Sequence, residues 1–184
     1  MPGRDGVGGR WWLRHAPAAA APGSFCGRID PPPELGDGDG LCRLARLLPR
    51  HLPAFASPLA RSRLTARALG LALPVLEPGL MEQDFGSLDG RRYDSVSNLA
   101  ELWADPVRYR PAGGESFADL FRRVARTLAA LPPDCVIVSH AGPIRAAMAL
   151  ACGLSPAEAL GLAVPTLCCI RIEGGTVTWV SPSP

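Results

Sequence analysis

Leu13-Arg14-His15-Ala16 is the stretch that decides how the rest of the sequence is interpreted. It closes the apolar run Trp11-Trp12-Leu13 and comes directly before Pro17, which is typical of a short buried strand that ends abruptly. Arginine and histidine are poor residues for the end of a core strand unless the chemistry there requires them. Because open α/β sheets bind ligands beyond the carboxyl ends of their strands, Arg14 and His15 predict a pocket for an anion.

Length and composition indicate one globular domain. The chain has 184 residues, of which 47% are apolar, enough for one core and few for two. We expect the glycine-rich residues 1–9 to form a flexible leader and residues 10–184 to form a single domain. Since no apolar run reaches the roughly 18 residues that span a bilayer, and nothing resembles a signal peptide, we expect a cytoplasmic protein without a membrane partner. The net charge of +2 is too small to indicate a nucleic-acid partner.

Two residue types exclude further classes of chemistry. The chain holds no lysine, which excludes a lysine Schiff base and a P-loop lysine. The cysteines form no CxxC pair and several lie in apolar runs, which favours small buried thiols in a reducing compartment over a zinc site or disulfides. They are Cys26, Cys42, Cys135, Cys152, Cys168 and Cys169. We therefore expect no metal and no cofactor.

Hydrophobic periodicity predicts that strands and helices alternate along the chain. The predicted strands cover residues 10–14, 54–57, 75–76, 135–138, 166–172 and 176–180. The predicted helices cover residues 39–49, 58–70, 94–104, 116–131 and 143–152. Ser57 is expected to cap the second helix, and Ser116 or Gly114 the fourth. This alternation favours an α/β sheet covered on both faces, with the last two strands as an antiparallel hairpin around Gly174-Gly175.

Four distant places carry residues suited to one chemistry. Two strands end in histidine, at Arg14-His15 and at Ser139-His140, while Arg61 lies one turn into a helix and Glu82 on a loop. If these places converge, the pocket holds two arginines, two histidines and an acid. Arginine forks match phosphate oxygens, a neutral imidazole can accept a phosphoryl group, and a carboxylic acid can protonate the leaving alkoxide. The set therefore predicts phosphoryl transfer through a phosphohistidine.

The motifs around these residues resemble the histidine phosphatase superfamily, which includes phosphoglycerate mutases. They occur in the family's order and the resemblance covers about residues 10–172. The motifs are Leu13-Arg14-His15, Ser57-Pro58-Leu59-Ala60-Arg61 with Thr65-Ala66, Glu82-Gln83-Asp84-Phe85-Gly86, and Ser139-His140-Ala141-Gly142. The resemblance implies a three-layer α/β/α fold with a mixed, mostly parallel central sheet of about six strands, and no metal.

The resemblance also implies a role for each site residue. His15 would be the phosphorylated nucleophile, and Arg14, Arg61 and His140 would bind the phosphoryl group. Glu82 would be the proton donor, although Asp84, two residues further on, remains an alternative. Three neighbouring residues are candidates for substrate binding, each beside a plainer alternative of packing or solvation: Cys26, Gly27 and Arg28.

Within the superfamily, the sequence is most similar to the alpha-ribazole phosphatase branch. The features shared with it are Arg14-His15-Ala16-Pro17, Phe25-Cys26-Gly27-Arg28-Ile29-Asp30, Glu82-Gln83-Asp84-Phe85-Gly86, and Trp103 through Asp105-Pro106 to Pro111-Ala112-Gly113-Gly114-Glu115-Ser116. This resemblance implies hydrolysis of alpha-ribazole 5′-phosphate, which contributes the lower ligand of cobalamin. Ser87-Leu88-Asp89-Gly90 departs from the branch pattern, and Ala16 from that of the wider superfamily, so the shape of the substrate pocket stays open.

Other functions remain as alternatives to this hypothesis. A broad-specificity phosphatase for small metabolites would use the same residues, and a phosphoglycerate mutase-like enzyme would need 2,3-bisphosphoglycerate. A phosphate-binding module without catalysis is the alternative from another class. In each case the expected partner is a small phosphorylated metabolite, and a homodimer is one open oligomeric state. We expect Trp11, Trp12 and Trp103 to pack in the core or at the rim of the pocket.

Overall fold

The computed structural model describes residues 9–181 except positions 37, 72 and 98. The predicted leader at residues 1–9 lies, apart from Gly9, outside the described residues. The described part contains one sheet of six strands. The strands are β1 (Arg10–Arg14), β2 (Ala54–Ala56), β3 (Val75–Leu76), β4 (Cys135–Ser139), β5 (Cys169–Glu173) and β6 (Thr176–Ser181).

The order of the strands places the two histidine-bearing ends side by side. The sheet runs β3-β2-β4-β1-β5-β6, in which β1 to β4 pair in parallel while β5 is antiparallel to both β1 and β6. The predicted mixed, mostly parallel sheet and its terminal hairpin are therefore confirmed. In the central pair, Arg14 is in register with Ser139. The next residues, His15 and His140, consequently leave the sheet at the same edge.

The described residues contain six α-helices. They are α1 (Asp39–Leu47), α2 (Ala60–Ala68), α3 (Ala100–Ala104), α4 (Phe117–Ala130), α5 (Ala141–Cys152) and α6 (Pro156–Leu160). Within the described chain, no helix has the length and apolarity needed to cross a membrane.

The alternation of side chains along β1 builds the three layers. Trp11 and Leu13 pack against α1 and α2 on one face, whereas Trp12 packs against α5 on the other. Helix α4 lies outside α5, with Phe117 and Leu120 of α4 in one buried cluster with residues of α5. The α/β/α arrangement thus follows from a strand that is apolar on both sides.

The predicted helix at 94–104 is wrong in extent. A single 3₁₀ turn covers Tyr93–Ser95, and the α-helix is limited to Ala100–Ala104. The residues between them are Val96-Ser97-Asn98-Leu99, in which the β-branched, serine and asparagine residues have low helix propensity. Val96 takes an extended conformation and ends the first turn.

The role predicted for Ser57 as a helix cap is also wrong. Helix α2 begins two residues later than predicted, after the extended Leu59, and no side chain caps it. The Ser57 hydroxyl accepts only a long bond from the Leu59 N–H, at 3.3 Å, and lies 2.8 Å from Nε2 of His140. Ser57, which directly follows β2, therefore contacts His140 and does not cap the helix.

Of the two predicted caps of α4, Ser116 is the one observed, whereas helix α6 was not predicted from the sequence. Ser116 and Asp119 form a reciprocal capping box at the start of α4. Helix α6 begins with the same device, made by Ser155 and Glu158 around Pro156. The sequence Ser155-Pro156-Ala157-Glu158 carries this signal, but the helix it begins is too short to show a period.

Candidate active site

His15 and His140 lie in contact at the edge of the sheet where β1 and β4 end. Their ring centroids are 4.9 Å apart, with the planes inclined at 62°. His15 is 5% exposed and His140 is fully buried. The parallel register of β1 and β4 is the cause of this contact, because each histidine directly follows its strand.

His15 is held as a neutral ring whose Nε2 carries a lone pair. Its Nδ1 lies 2.6 Å from the carbonyl oxygen of Ala16. Since a carbonyl oxygen can only accept, Nδ1 carries the proton and Nε2 keeps its lone pair. Burial, together with the positive charges of Arg61 and Arg14, lowers the pKa of His15 to about 3, against the opposing effect of the hydrogen bond to Ala16. Nε2 is therefore available as a nucleophile at neutral pH.

Arg61 is fixed beside that nitrogen. Its side chain is 1% exposed, and its Nε donates to His15 Nε2 at 3.3 Å. The two terminal nitrogens donate to the carbonyl oxygens of Ile29 at 2.8 Å and Gly27 at 2.6 Å. These bonds compensate the burial of the guanidinium charge. His15, Arg61 and His140 together are called the histidine floor below.

Asp89 holds the opposite side of the loop that Arg61 binds. Its carboxylate accepts from the backbone N–H of Gly27 at 2.7 Å, of Arg28 at 2.5 Å and of Ile29 at 3.3 Å. The N–H groups of Gly27 and Arg28, candidates for substrate binding, are thus bound to Asp89. The sequence showed Asp89 only as part of Ser87-Leu88-Asp89-Gly90, which departs from the branch pattern, because a contact between segments about 60 residues apart has no local signal.

Arg14 offers a donor that protein groups do not satisfy. One terminal nitrogen donates to the carbonyl of Val164 at 2.6 Å, whereas its Nε is buried without a hydrogen-bond partner among the described residues. Burial lowers the pKa of Arg14, and the charge of Glu82 opposes that shift. Buried polar atoms are rarely left unpaired, so this Nε indicates an acceptor that the protein itself does not supply.

His140 presents a second donor or acceptor of the same kind. Its Nε2 faces Ser57, and its Nδ1 has no partner in the described part of the chain. Burial holds the pKa of His140 well below the ordinary value, and the charges of His15 and Arg61 act in the same direction. The ring is therefore neutral, with one nitrogen unsatisfied beside His15.

Glu82 lies at the start of α5. Its Oε1 accepts from the N–H of Gly142 at 3.1 Å and from the N–H of Gln83 at 3.0 Å. A Cβ on residue 142 would lie 2.3 Å from that oxygen, so only glycine allows this approach. Asp84 is placed differently, because its carboxylate accepts from the N–H of Gly86 at 2.9 Å within its own turn.

A cavity of about 400 Å³ opens beside these groups. Its polar walls are Arg14, Glu82, Cys26, Gln83, Gly142 and Arg145. Arg145 was not singled out from the sequence, although it is the one charged residue in the apolar sequence of α5 and lies three positions after Gly142. Its Nε donates to the carbonyl of Leu162 at 2.8 Å. The cavity is therefore cationic on both sides of Glu82.

Arg123 and Glu115 clamp the backbone that carries Glu82. Arg123 donates to the carbonyls of Gly79 at 2.7 Å and Met81 at 2.9 Å, and to the Glu115 carboxylate at 2.5 Å. Glu115 in turn accepts from the N–H of Asp84 at 3.1 Å. The clamp connects α4 to the loop on both sides of Glu82.

The side chain of Arg28 points to the same clamp. Its terminal nitrogens contact the sulfur of Met81 at 2.9 Å and the carboxylate of Glu115 at 3.7 Å. Of the three residues that were candidates for substrate binding, Cys26 alone lines the cavity, and its carbonyl also accepts from Arg61.

A family model agrees with this geometry. The model of the histidine phosphatase superfamily (branch 1) matches residues 11–181. The chain belongs to the histidine phosphatase superfamily. The recognition made from the four sequence motifs is therefore confirmed.

Individual relatives place the chain within a diverse group. It is 34% identical over 109 residues to the bifunctional protein Rv2228c of Mycobacterium tuberculosis, which covers 52% of this chain and 30% of that protein. The chain thus spans about a third of the length of the curated relatives it matches.

Two solved structures share the fold over most of both chains. A phosphoglycerate mutase from Thermus thermophilus is 28% identical with a TM-score of 0.75, covering 95% of this chain and 99% of that one. An alpha-ribazole-5′-P phosphatase candidate from Escherichia coli is 23% identical with a TM-score of 0.78, covering 93% of each chain. At that identity the second structure establishes the fold alone.

Proposed function

We propose that the protein is a phosphomonoesterase that acts through a phosphohistidine on His15, with alpha-ribazole 5′-phosphate as its substrate. One observation carries the proposal. His15 is neutral, with a lone pair on Nε2, and two buried polar atoms without partners, Arg14 Nε and His140 Nδ1, belong to the described residues around it. A phosphate oxygen would accept a hydrogen bond from each of them.

Substrate binding depends on charge compensation. A phosphate monoester carries about −1.5 to −2 charges near neutral pH. Arg14 and Arg61 supply two positive charges, and His140 supplies a neutral donor if its Nδ1 carries the proton. The Nε of Arg14 and the Nδ1 of His140 then hold phosphoryl oxygens while the phosphorus faces His15. The Nε of Arg61, which donates to His15 Nε2 at 3.3 Å, would pass to a phosphoryl oxygen and leave the lone pair of Nε2 for the attack.

The first step forms the phosphoenzyme. The lone pair of His15 Nε2 attacks phosphorus, and the bond from phosphorus to the ester oxygen breaks. The protonated carboxyl group of Glu82 gives its proton to that oxygen, so the alcohol leaves neutral. The hydrogen bond from His15 Nδ1 to the Ala16 carbonyl stabilises the positive charge that forms on the ring.

The second step releases phosphate. The Glu82 carboxylate accepts a proton from water, and the oxygen of that water attacks phosphorus as the bond to Nε2 breaks. The lone pair returns to Nε2, and Glu82 ends the cycle protonated. Splitting the hydrolysis into two displacements lowers the barrier of a reaction that is extremely slow in water.

The choice of substrate rests on similarity. The Phe25–Asp30 stretch and the segment from Trp103 to Ser116 are similar to the ribazole phosphatase branch, and the Escherichia coli structure named for that activity has the same fold. A small phosphorylated metabolite is the proposed partner, and a role in cobalamin synthesis follows from this substrate. The cytoplasmic location and a homodimer stay predictions.

A phosphoglycerate mutase is the second candidate, because the Thermus structure of that name is matched over 99% of its length. The two activities are separated by adding 2,3-bisphosphoglycerate with 3-phosphoglycerate. The proposed phosphatase predicts no isomerisation, and isomerisation would favour the mutase.

The proposed function is tested by hydrolysis assays on p-nitrophenyl phosphate and alpha-ribazole 5′-phosphate. His15→Ala is expected to abolish the turnover of both substrates while the circular dichroism spectrum is kept. His51→Ala is the matched control, because His51 is exposed and lies outside the cavity. Retained hydrolysis in His15→Ala would remove the mechanism, and an inactive wild-type protein would favour the phosphate-binding module.

A further inference from the structure

Helix α3 contributes no side chain to the core. None of its five residues, all of which the structure describes, is buried. Trp103 on this helix is 67% exposed, an unusual position for the largest apolar side chain. The sequence had assigned Trp103 to packing in the core or at the rim, and the structure places it at the rim. Leu102 and Trp103 both line the cavity that holds Arg14 and Glu82.

Four aromatic residues form one side of this cavity, and are called the aromatic rim below: Phe25, Phe85, Tyr93 and Trp103. The Phe25 ring lies 5.1 Å from Phe85 and 4.6 Å from Tyr93, nearly perpendicular to the latter. Phe25 is buried and packs against Phe85 and Tyr93, whereas Tyr93 and Trp103 are exposed. The aromatic rim is therefore braced from below and open above.

The cavity is thus divided by chemistry. Arg14, Glu82 and Arg145 form a charged part, and the aromatic rim with Leu102 and Pro106 forms an apolar part. A ligand that fills both parts needs an anionic group at one end and an apolar surface at the other. Aliphatic sugar phosphates satisfy only the first requirement, because their hydroxyl groups would be desolvated against the rim.

We propose that Trp103 and Tyr93 form a stacking subsite for a planar heteroaromatic ring carried by the alcohol part of the substrate. The inference rests on the proposed function, since the ring belongs to the alcohol released from phosphorus. The substrate class is therefore a nucleoside-like monoester in which a sugar joins the phosphate to the ring. Stacking is tolerant of ring identity, so the subsite selects for the presence of a ring more than for its substituents.

The arrangement favours stacking over a partner protein. Trp103 lines the same cavity as Arg14, which is proposed to bind phosphate, and Glu82, the proposed proton donor, and this continuity fixes the class of occupant. A ring packed against Trp103 and Tyr93 would cover apolar surface of both side chains. Covering that surface removes it from water, which is the favourable term in binding.

The test compares two substrates that differ only in the ring, alpha-ribazole 5′-phosphate and ribose 5-phosphate. The ratio of their kcat/KM values is measured in the wild type, in Trp103→Ala and in Trp103→Phe. Trp103→Ala is expected to lower the preference for the ring by roughly 5- to 30-fold, mainly through KM, and Trp103→Phe is expected to restore most of it. Leu73→Ala is the control, because Leu73 is 96% exposed and lies outside this cavity.

A second readout needs no turnover. Alpha-ribazole 5′-phosphate is titrated into His15→Ala, and quenching of tryptophan fluorescence is followed. Quenching that is lost in the His15→Ala/Trp103→Phe double variant supports the subsite. An unchanged substrate ratio in Trp103→Ala, or quenching that survives in the double variant, overturns it. A protein that shows Trp103-dependent quenching without hydrolysis would refute the proposed function and keep the subsite.

Discussion

The histidine floor adjoins the cavity that the aromatic rim lines, and the two regions are built in opposite ways. His15, Arg61 and His140 are almost fully buried, and two of them directly follow central strands of the sheet. The aromatic rim is carried by segments outside the sheet, and the helix of Trp103 has no residue in the core. In the proposed function, the groups that meet phosphorus are buried at the edge of the sheet, and the groups proposed to select the substrate lie on less constrained chain.

The strongest test of the rigid floor is Arg61→Ala. It removes a charge that is proposed to bind phosphate, and it takes from the carbonyls of Gly27 and Ile29 the hydrogen bonds that Arg61 donates. We expect kcat/KM on p-nitrophenyl phosphate to fall by about 10³-fold and the protein to lose about 3 kcal/mol of stability, measured by urea unfolding. Arg63→Ala, on the exposed face of the same helix, should change neither quantity. Comparable losses in both variants would contradict the role of Arg61.

The acid beside the cavity is tested next. Glu82→Gln should lower kcat for an alkyl ester such as alpha-ribazole 5′-phosphate by about 10²- to 10³-fold, and for p-nitrophenyl phosphate by much less, because a good leaving group needs little protonation. Asp84→Asn is the matched control, since that carboxylate is bound within its own turn. If Asp84→Asn gave the larger and more selective loss, the proton donor would be Asp84.

Arg123→Ala tests whether the clamp that holds the backbone of Glu82 also contributes to catalysis. The variant frees the carbonyls of Gly79 and Met81 and should lower kcat by about 10- to 100-fold with little change in KM. The loss should be selective for alkyl esters, as for Glu82→Gln, and Arg123→Lys should recover part of it. The neighbouring Arg122→Ala is the control because its side chain is exposed. If kcat fell equally for alkyl and aryl esters, the role of Arg123 would be structural only.

The burial of His15 predicts that the stability of the protein depends on pH. The folded-state pKa of about 3 lies below the ordinary value of 6.5, so between these values the unfolded chain binds more protons. Stability should therefore fall as the pH is lowered from about 6.5 towards 3, with this residue contributing about 1 kcal/mol per pH unit. When urea unfolding is measured at several pH values, the free energy of unfolding of His15→Asn should change less with pH than that of the wild type. An identical slope would mean that His15 is not held neutral by the fold.

The difference between the two regions also explains what the sequence could predict. The strand ends at Arg14-His15 and Ser139-His140 were recognisable, because a buried strand that stops at charged residues is a local signal. Their convergence followed from the parallel sheet, which the alternation of elements predicted. The structure therefore agrees with the sequence where the site depends on strand direction.

The remaining parts of the site depend on contacts between distant segments. Asp89 binds the loop at Gly27, and Arg123 binds the loop at Met81. Ser57 contacts His140 instead of capping a helix. Neither hydrophobic periodicity nor a helix cap determines these contacts, so no local sequence pattern predicts them. The exposure of Trp103 was equally hidden, because a tryptophan in a short helix is expected to pack.

The phosphohistidine itself provides the most direct measurement. The protein is mixed with p-nitrophenyl phosphate, quenched within milliseconds in alkali, which preserves a phosphoramidate, and digested for mass spectrometry. The account predicts one phosphoryl group, located on Nε2 of His15, in the wild type and none in His15→Ala. Turnover without a phosphorylated His15, or a phosphoryl group that persists in His15→Ala, would contradict it.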